Sequence, residues 1–292
     1  MNISIGIATK GRREILAETV SVLRSQTRLA DRIFICPAGE SDLPRATIEG
    51  SDLPIEIVTS SPGLCAQRNA ILRQAADVDI LLFIDDDFFL SADFLANCET
   101  LFQSRPDVIM CTGNVIADGI SGPGITPDQA SEMLMQNGRE APSRAVTETY
   151  GGYGCNMAFR VKAAVDNKLW FDERLPLYGW QEDVDFSRRL SRFGGIVNDN
   201  SLRGVHLGHK SGRTEGLRLG YSQVANPLYL LKNGTVSLYF ASQLMARNAL
   251  NNLIRSPFPE PWVDRRGRLR GNFLAFRHLL QGKLDPEMIL KL

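Results

Sequence analysis

Three consecutive carboxylates follow an apolar run in the first third of the chain. The run is ILLFI at residues 80–84, and Asp85, Asp86 and Asp87 come directly after it. Crowded carboxylates repel one another and are costly to remove from water unless a positive charge lies beside them. Carboxylate oxygens are ligands that Mg²⁺ and Mn²⁺ prefer. The sequence therefore predicts a metal site here, or an acidic turn before a helix that Ser91 caps.

Two later carboxylates have the surroundings of a general base. Glu182 and Asp183 follow Trp180 and open a predicted helix with an apolar face. A carboxylate in the first turn of a helix is stabilised by the helix N-terminus. It is also placed to accept a proton from a hydroxyl held over an indole ring, a surface on which sugars often stack. The pair predicts base catalysis on a sugar hydroxyl, or simply a stabilised helix start.

Two histidines follow in the stretch Val-His-Leu-Gly-His. We expect His206 and His209 to share one face of a strand, where either imidazole can complete the coordination of a metal held by Asp87. A structural role is the alternative for both.

A cationic turn follows the first predicted strand. Gly6 and Gly11 have the spacing of a phosphate-binding P-loop, but Arg12 stands where such a loop needs lysine, so we reject that motif. Thr9, Lys10 and Arg12 remain placed to meet the polar groups of a nucleotide, or to form a solvated turn.

Two further polar stretches border the predicted site. Arg68 and Asn69 lie in the first turns of a predicted helix, where the arginine can pair with phosphate or with the carboxylates themselves. Glycines at residues 151, 152 and 154 precede Asn156, and they permit either a close approach of backbone to a ligand or a tight bend between strands.

The surrounding pattern alternates strands with helices. Strands are predicted at residues 3–8, 33–36, 55–58, 80–84 and 108–111, and helices at 14–25, 66–75 and 91–104. Such alternation predicts an α/β fold with a mainly parallel sheet. Residues 113–150 are rich in glycine and proline, and we interpret them as an insertion or mobile loop over the site.

The composition limits the partners and the compartment. Lysine plus arginine and aspartate plus glutamate both number 33, so the formal net charge is zero and no global field attracts nucleic acid. The five cysteines are scattered without a CxxC pair, which indicates reduced thiols and no zinc site. No apolar run reaches the ~18–20 residues of a membrane span. We expect a cytoplasmic protein.

Together these stretches resemble the family 2 glycosyltransferases, which have the GT-A fold, a Rossmann-like mainly parallel sheet flanked by helices. The likeness extends from residue 3 to the region of residue 209. The motifs that carry it stand in the family's order at residues 7–12, 63–69, 85–87, 154–160 and 171–185. The ordered set is more specific than any one motif.

The resemblance implies a metal-dependent, inverting transferase that moves a single sugar from a nucleotide-diphosphate donor to a hydroxyl of a glycan or lipid-linked acceptor. It implies that Asp183 is the catalytic base of an in-line displacement. Mn²⁺ or Mg²⁺ would be held by Asp87 and His206, with His209 as the competing ligand, and would neutralise the leaving diphosphate. Contacts with the nucleotide sugar are expected at Thr9, Lys10, Arg12, Arg68, Asn69, Asp85 and Asp86, and contacts with the acceptor or its sugar at Asn156, Trp180 and Glu182.

One departure from the family leaves the donor base open. Most members carry Asp-Asp-Gly-Ser after the second strand, where an aspartate recognises uracil, whereas this chain has Pro-Ala-Gly-Glu at residues 37–40. Glu40 or Asp42 substitutes for that aspartate, or the base is guanine or thymine. The Gln-x-x-Arg-Trp motif of processive synthases is absent, which favours transfer of one residue.

The chain divides into a catalytic domain at residues 1–214 and a helical C-terminal extension at 215–292. The extension carries a basic run, Arg265, Arg266, Arg268 and Arg270, followed by phenylalanine and leucine residues. We expect it to attach the enzyme to an anionic membrane at its inner face, or to form a helical cap or homodimer contact. Family analogy suggests a setting in exopolysaccharide or other surface-glycan assembly.

Two other functions fit parts of the pattern. A nucleotidyltransferase shares the sheet and the metal-bound aspartates, but it opens with a Gly-x-Gly-x-Arg loop that this chain lacks. A non-catalytic module that binds nucleotide sugars has no need of a base. Because Asp87 and Asp183 are both present, the sequence favours an active enzyme.

Overall fold

A single sheet organises the chain in the structure, a computed structural model that describes residues 1–138 and 145–292. Its strands are β1 (Ile3–Thr9), β2 (Ile33–Pro37), β3 (Ile55–Ile57), β4 (Ile80–Asp85), β5 (Phe88–Leu90), β6 (Val108–Asp118), β7 (Val146–Glu148), β8 (Asn156–Arg160) and β9 (Gly195–His206). The order across the sheet is β3-β2-β1-β4-β8-β6-β9-β5, and β7 also pairs with β9.

The first half of the sheet is parallel. β1 lies between β2 and β4, and β3 pairs in parallel with β2. The carboxyl ends of β1 and β4 meet at one edge, where Ala8 pairs with Asp85. The second half is mixed, because β8 runs antiparallel to β4 and β6, while β6 and β9 are parallel. The predicted α/β fold with a mainly parallel sheet is confirmed.

Both faces of the sheet are buried, as the apolar run of β4 predicts. Ile80, Leu82 and Ile84 point into one apolar layer, while Leu81 and Phe83 point into the other. Strands covered on both faces show this continuous apolar pattern.

The helices that cover the sheet are short. They are α1 (Arg13–Leu23), α2 (Arg45–Glu49), α3 (Leu64–Gln74), α4 (Phe94–Ser104), α5 (Pro127–Asn137), α6 (Val161–Asp166) and α7 (Glu182–Leu190). α1 and α3 follow β1 and β3 as crossovers of the parallel sheet. α7 begins with Glu182 and Asp183 in its first turn, as predicted, and it ends at Leu190.

The interpretation of residues 113–150 as a mobile loop is wrong for the part that the structure describes, whereas the alternative, an insertion, stays a prediction. β6 continues to Asp118, α5 occupies 127–137 and β7 pairs with β9, while residues 139–144 lie outside the described part. Thr126 and Gln129 form a capping box with Pro127 at the first helical position. This helix-start signal was present in the sequence and outweighs the glycines and prolines before it.

Three longer helices form the C-terminal region, α8 (Gly216–Lys232), α9 (Leu238–Arg255) and α10 (Arg265–Leu280). α8 and α10 pack so closely that a Cβ added to Gly220 would lie 2.0 Å from the carbonyl oxygen of Arg268. Leu230 of α8 belongs to an apolar layer of the sheet. The helical extension is confirmed, whereas the domain boundary at residue 214 stays a prediction. Within the described ranges, no helix combines the length and apolar character that crossing a membrane requires.

Candidate functional site

Strand pairing brings four polar side chains to one edge of the sheet. Asp85 ends β4, and Asp87 lies in the turn between β4 and β5. Because β5 pairs antiparallel with β9, and Phe88 stands opposite His206, the imidazole lies beside that turn. The parallel pairing of β6 with β9 sets Asp118 against the same histidine. We call these residues, Asp85, Asp87, Asp118 and His206, the carboxylate site.

The donor set suits a divalent cation. Asp85, Asp87 and His206 each offer one ligand atom, and these atoms lie within 4.8 Å of one another. His206 Nε2 is 3.4 Å from Asp87 Oδ1 and 3.8 Å from Asp85 Oδ2. Asp87 Oδ1 is buried, with Arg12 Nη1 at 3.1 Å and His206 Nε2 at 3.4 Å. Two carboxylates and one imidazole within this span fit Mn²⁺ or Mg²⁺.

Asp118 orients the imidazole. His206 Nδ1 lies 2.9 Å from Asp118 Oδ1, which directs Nε2 towards Asp85 and Asp87. Burial lowers the pKa of His206, but the hydrogen bonds to Asp118 and Asp87 outweigh it and raise the pKa to about 10. Burial also opposes ionisation of Asp87, yet the bond to His206 and the charge of Arg12 hold its pKa well below the usual range. Carboxylate–histidine pairs of this kind fix metal ligands in place.

His209 has a different role from the predicted one. β9 ends at His206, and Gly208 turns the chain with a φ of 62°, so the two imidazoles do not share a strand face. The His209 ring lies 2.8 Å from the Ser211 hydroxyl, while its backbone N–H donates to Asp87 Oδ2 at 2.7 Å. His209 therefore supports Asp87 through its backbone, and its imidazole is not part of the Asp85–Asp87–His206 cluster.

The middle carboxylate of the triplet points towards the first loop. Thr9 and Arg12 donate hydrogen bonds of 2.7 and 2.8 Å to the two oxygens of Asp86. Arg12 Nη1 also lies 3.1 Å from Asp87 Oδ1. Burial raises the pKa of Asp86 to about 7 despite the charge of Arg12. Asp86 thus connects the loop after β1 to the turn between β4 and β5 through Thr9 and Arg12.

A buried arginine connects the carboxylate site to α7. Arg68 is 2% exposed and donates to Glu182, to the Gly154 carbonyl oxygen at 2.7 Å and to Asp85 Oδ1 at 3.4 Å. Its guanidinium also lies near two phenylalanine rings of the core, 5.4 Å from the centroid of Phe83 and 5.5 Å from that of Phe171. Because a buried charge needs paired partners, Arg68 fixes the separation between Asp85 and Glu182.

Asp183 lies next to this ion pair. Its carboxylate accepts hydrogen bonds from the backbone N–H groups of Gly154 at 3.0 Å and Val184 at 2.8 Å. Removal from water raises its pKa above the ordinary value, although these hydrogen bonds and Arg68 act in the opposite direction. Glu182 is thus committed to the ion pair with Arg68, whereas Asp183 accepts from backbone N–H groups.

A strained turn precedes α7. Leu177, Gly179 and Gln181 have positive φ angles of 59°, 63° and 74°, and two of them are not glycine. Strain of this kind persists where the surroundings impose it, often beside functional groups. The turn places Tyr178 and Trp180 against the cavities described next.

Two adjoining cavities meet at the carboxylate site. The smaller, of about 260 Å³, has a lining that includes Thr9, Lys10, Arg12, Asp85 and Asp86. Of the residues predicted to contact the nucleotide sugar, these five line it, whereas Arg68 and Asn69 are not among its lining residues. Glu40 forms an ion pair with Arg45, and Asp42 accepts a hydrogen bond from the backbone N–H of Gly11. Neither side chain is among the described lining residues of the smaller cavity.

The larger cavity, of about 540 Å³, runs from Asp85 and His206 past Trp180 to the C-terminal helices. We call it the arginine cleft, because it is lined by Arg12, Arg213, Arg247, Arg255, Arg265 and Arg268. Sequence reasoning placed Arg12 at the site but not the other five.

Two predicted contact residues are buried within the protein instead. Asn69 donates to Phe171 O and Glu173 and accepts from the Phe171 N–H. Asn156 is bonded to Thr112 and to both backbone groups of Gly113. Both asparagines hold the framework of the site, and their contacts with a sugar stay predictions.

The comparison by sequence gives one match. The family model described as Glycosyl transferase family 2 matches residues 4–166, more than half of the chain. This range includes Asp85, Asp87 and Asp118 but not Asp183 or His206. No curated protein matches the chain.

Solved structures of similar fold include glycosyltransferases with bound nucleotides. The S. aureus TarS 1–349 structure in complex with UDP-GlcNAc is 13% identical, with a TM-score of 0.56 over 97% of this chain and 93% of that one. Mannosyltransferase PcManGT from Pyrobaculum calidifontis, in complex with GDP-Man and Mn²⁺, is 16% identical, with a TM-score of 0.58 over 99% and 78% of the two chains. The chain spans 44% of the longer TarS structure. At these identities the likeness shows the fold.

Proposed function

The chain belongs to glycosyl transferase family 2, and on that premise we propose that it moves a single sugar from a nucleotide-diphosphate sugar to an acceptor hydroxyl with inversion at the anomeric carbon. The observation that carries this proposal is the cluster of Asp85, Asp87 and His206 at the junction of two cavities. The smaller cavity takes the nucleotide and the larger takes the acceptor. Fold relatives with UDP-GlcNAc and with GDP-Man and Mn²⁺ support this class of donor.

Asp85, Asp87 and His206 would hold Mn²⁺ or Mg²⁺ in this scheme. When bound, the cation supplies charge neutralisation for the departing diphosphate. Asp118 keeps the imidazole directed towards the cation, and Arg12 and the His209 N–H hold Asp87. Lys10 and Arg213 line the nucleotide cavity, where their positive charges favour the phosphates.

Asp183 is the proposed base. It takes the proton of the acceptor hydroxyl while that oxygen bonds to the anomeric carbon and the bond from this carbon to the diphosphate oxygen breaks. Its raised pKa makes the carboxylate a stronger base than an exposed aspartate. Trp180, in the wall of the arginine cleft, provides an aromatic surface for the acceptor sugar, and Arg68 positions Glu182 beside the base.

The proposed setting is surface-glycan assembly at the inner face of a membrane. α9 and α10 carry exposed apolar side chains with helical spacing, Leu250, Leu253, Ile254, Phe273, Phe276 and Leu280. Arg266 and Arg270 flank this patch beside Phe273. Apolar side chains bordered by arginine suit an anionic lipid surface. Co-sedimentation with vesicles of phosphatidylglycerol and phosphatidylcholine at low salt tests it, and a protein that stays in the supernatant contradicts it.

A donor panel tests the proposed function. UDP-, GDP- and dTDP-sugars are tested with and without Mn²⁺ for thermal stabilisation and for donor hydrolysis. We expect one nucleotide to stabilise the protein in a metal-dependent way. With a competent acceptor, NMR of the anomeric proton should show inverted configuration. If a folded protein responds to no nucleotide sugar, the proposal fails and a binding role for another ligand replaces it.

A further inference from the structure

The arginine cleft contains more positive charge than its neighbours balance. Six arginines line it, whereas Asp85 is the one carboxylate in that described lining. Arg12 pairs with Asp86 and Asp87. Arg255 and Arg265 share Glu260.

The other three arginines lack such a partner. Arg213, Arg247 and Arg268 make no ion pair with any residue in the described ranges. Arg213 donates to the carbonyl oxygens of Gly208 and His209, and these neutral groups leave its charge uncompensated. Arg268 Nε is buried and has no hydrogen-bond partner in the same part of the chain. A buried guanidinium donor without an acceptor is costly, and an anionic ligand can supply the acceptor.

The local electrostatics agree with that geometry. Burial, together with the charges of Arg265 and Arg213, lowers the pKa of Arg268 to about 10. Burial and the charge of Arg12 also lower the pKa of Arg213. Both guanidinium groups therefore lie where further negative charge would be stabilising. Arg247 is exposed and stands at the wall of the same cavity.

The position of these arginines separates them from the donor. Arg247 and Arg268 line the arginine cleft but are absent from the described lining of the nucleotide cavity. Both belong to the C-terminal helices α9 and α10. A molecule that reaches Asp85 and His206 through this cleft passes Trp180 on one wall and the arginines on another.

We propose that the cleft selects an acceptor that carries oxyanions, either phosphate or carboxylate groups, along its sugar chain. Planar guanidinium groups match both oxyanions through paired hydrogen bonds. The inference rests on the proposed transferase function, since it names the class of acceptor for that reaction. It assigns the basic run of α10 two roles, because Arg265 and Arg268 line the cleft while Arg266 and Arg270 lie beside Phe273.

Binding of three oligosaccharides of equal length tests the proposal. The probes are maltotetraose, a phosphorylated maltotetraose and tetragalacturonate, titrated by calorimetry in metal-free buffer without donor. We expect at least one anionic probe to bind about tenfold or more tightly than maltotetraose, as one charge-assisted contact allows. The two anionic probes distinguish phosphate from carboxylate as the preferred group.

A matched pair of variants locates the binding. Arg247→Glu reverses an exposed charge in the cleft, and Arg270→Glu reverses an exposed charge that lies outside it. We expect Arg247→Glu to weaken binding of the anionic probe by about tenfold and Arg270→Glu to leave this binding nearly unchanged. Equal binding of neutral and anionic probes, or equal losses in both variants, overturns the inference.

Donor hydrolysis by the same preparation keeps the two proposals separate. If the protein hydrolyses the donor but binds the anionic probes no more tightly than maltotetraose, the transferase proposal is supported and the anionic-acceptor proposal fails. If the protein prefers anionic probes and Arg247→Glu weakens that binding, but no nucleotide sugar has an effect, the oxyanion site is supported and the transferase proposal fails.

Discussion

The carboxylate site and the arginine cleft share one cavity but balance their charges in opposite ways. The carboxylate site is acidic, and the protein supplies its own cations, Arg12, Arg68 and His206. The arginine cleft is basic, and Glu260 is the carboxylate that pairs with two of its arginines. The buried Asp87 Oδ1 lies within 3.4 Å of nitrogens of Arg12 and His206, whereas the buried Nε of Arg268 has no acceptor in the described part of the chain.

The difference in charge balance indicates which kind of ligand each region is suited to bind. Charges that pair within the chain position one another, as Arg68 does for Asp85 and Glu182. We propose that ligands complete the remaining groups, a cation at the carboxylate site and an anion at Arg268. This contrast gives each region its own test, and a variant of one region should leave the other intact.

The largest effect is expected at the base. Asp183→Asn removes the proton acceptor, so turnover should fall by about 10²–10⁴-fold. The KM for the donor should stay close to that of the wild type, because Asp183 is not in the described lining of the nucleotide cavity. Steady-state kinetics with Asp166→Asn, an exposed aspartate elsewhere, provides the control. Near-normal turnover of Asp183→Asn would remove it from the mechanism.

Arg68→Met tests whether internal cations hold the carboxylate site together. It leaves Glu182 buried and unpaired, so the free energy of unfolding should fall by about 3–5 kcal/mol in denaturant titrations. The control Arg73→Met lies on the same helix, where Arg73 is 58% exposed and pairs with Glu173, and should cost about 0–1 kcal/mol. Similar losses for both variants would mean that Arg68 is not an organising charge.

Asp118→Asn tests the histidine within the same region. Without the carboxylate, the imidazole loses its orientation, and affinity for Mn²⁺ should fall by about 10–100-fold. Arg247→Glu should leave Mn²⁺ affinity unchanged, because it lies in the other region. If Arg247→Glu lowered the affinity for Mn²⁺ and Asp118→Asn did not, the assignment of the cation to the carboxylate site would be contradicted.

The pH dependence of metal binding gives a smaller, graded effect. His206 must lose its proton to bind a cation, and its pKa in the metal-free protein is about 10. Affinity for Mn²⁺ should therefore rise by up to about tenfold per pH unit below that pKa. In the metal-free protein the protonated histidine stabilises the fold below the ordinary pKa of 6.5, and this stabilisation is lost as the pH rises through about 10. A Mn²⁺ affinity independent of pH contradicts this protonation state.

The sequence is informative where the signal is local. The apolar run and the three aspartates are contiguous, so the buried strand and its acidic end could be predicted together. The helix start at Glu182 was readable for the same reason. The capping box at Thr126 was equally local, but glycines and prolines nearby obscured it.

The remaining site depends on register and packing, which periodicity does not determine. Asp118 reaches His206 only because β6 and β9 pair with irregularities near Gly113 and Val115. The spacing of Arg265 and Arg268 places them on one face of a helix, but the packing at Gly220 and Gly271 decides that this face meets the cleft. His209 lies three residues from His206, and the end of β9 between them separates their side chains.

A Mn²⁺ titration followed by electron paramagnetic resonance tests the central claim most directly, with and without the nucleotide sugar that the donor panel identifies. The wild type and His209→Gln should bind Mn²⁺ more tightly when the donor is present, because the His209 ring lies outside the cluster. Asp87→Asn and His206→Gln should lose this binding. Equal Mn²⁺ binding by all four proteins, or no effect of the donor, would contradict a nucleotide-sugar transferase centred on Asp85, Asp87 and His206.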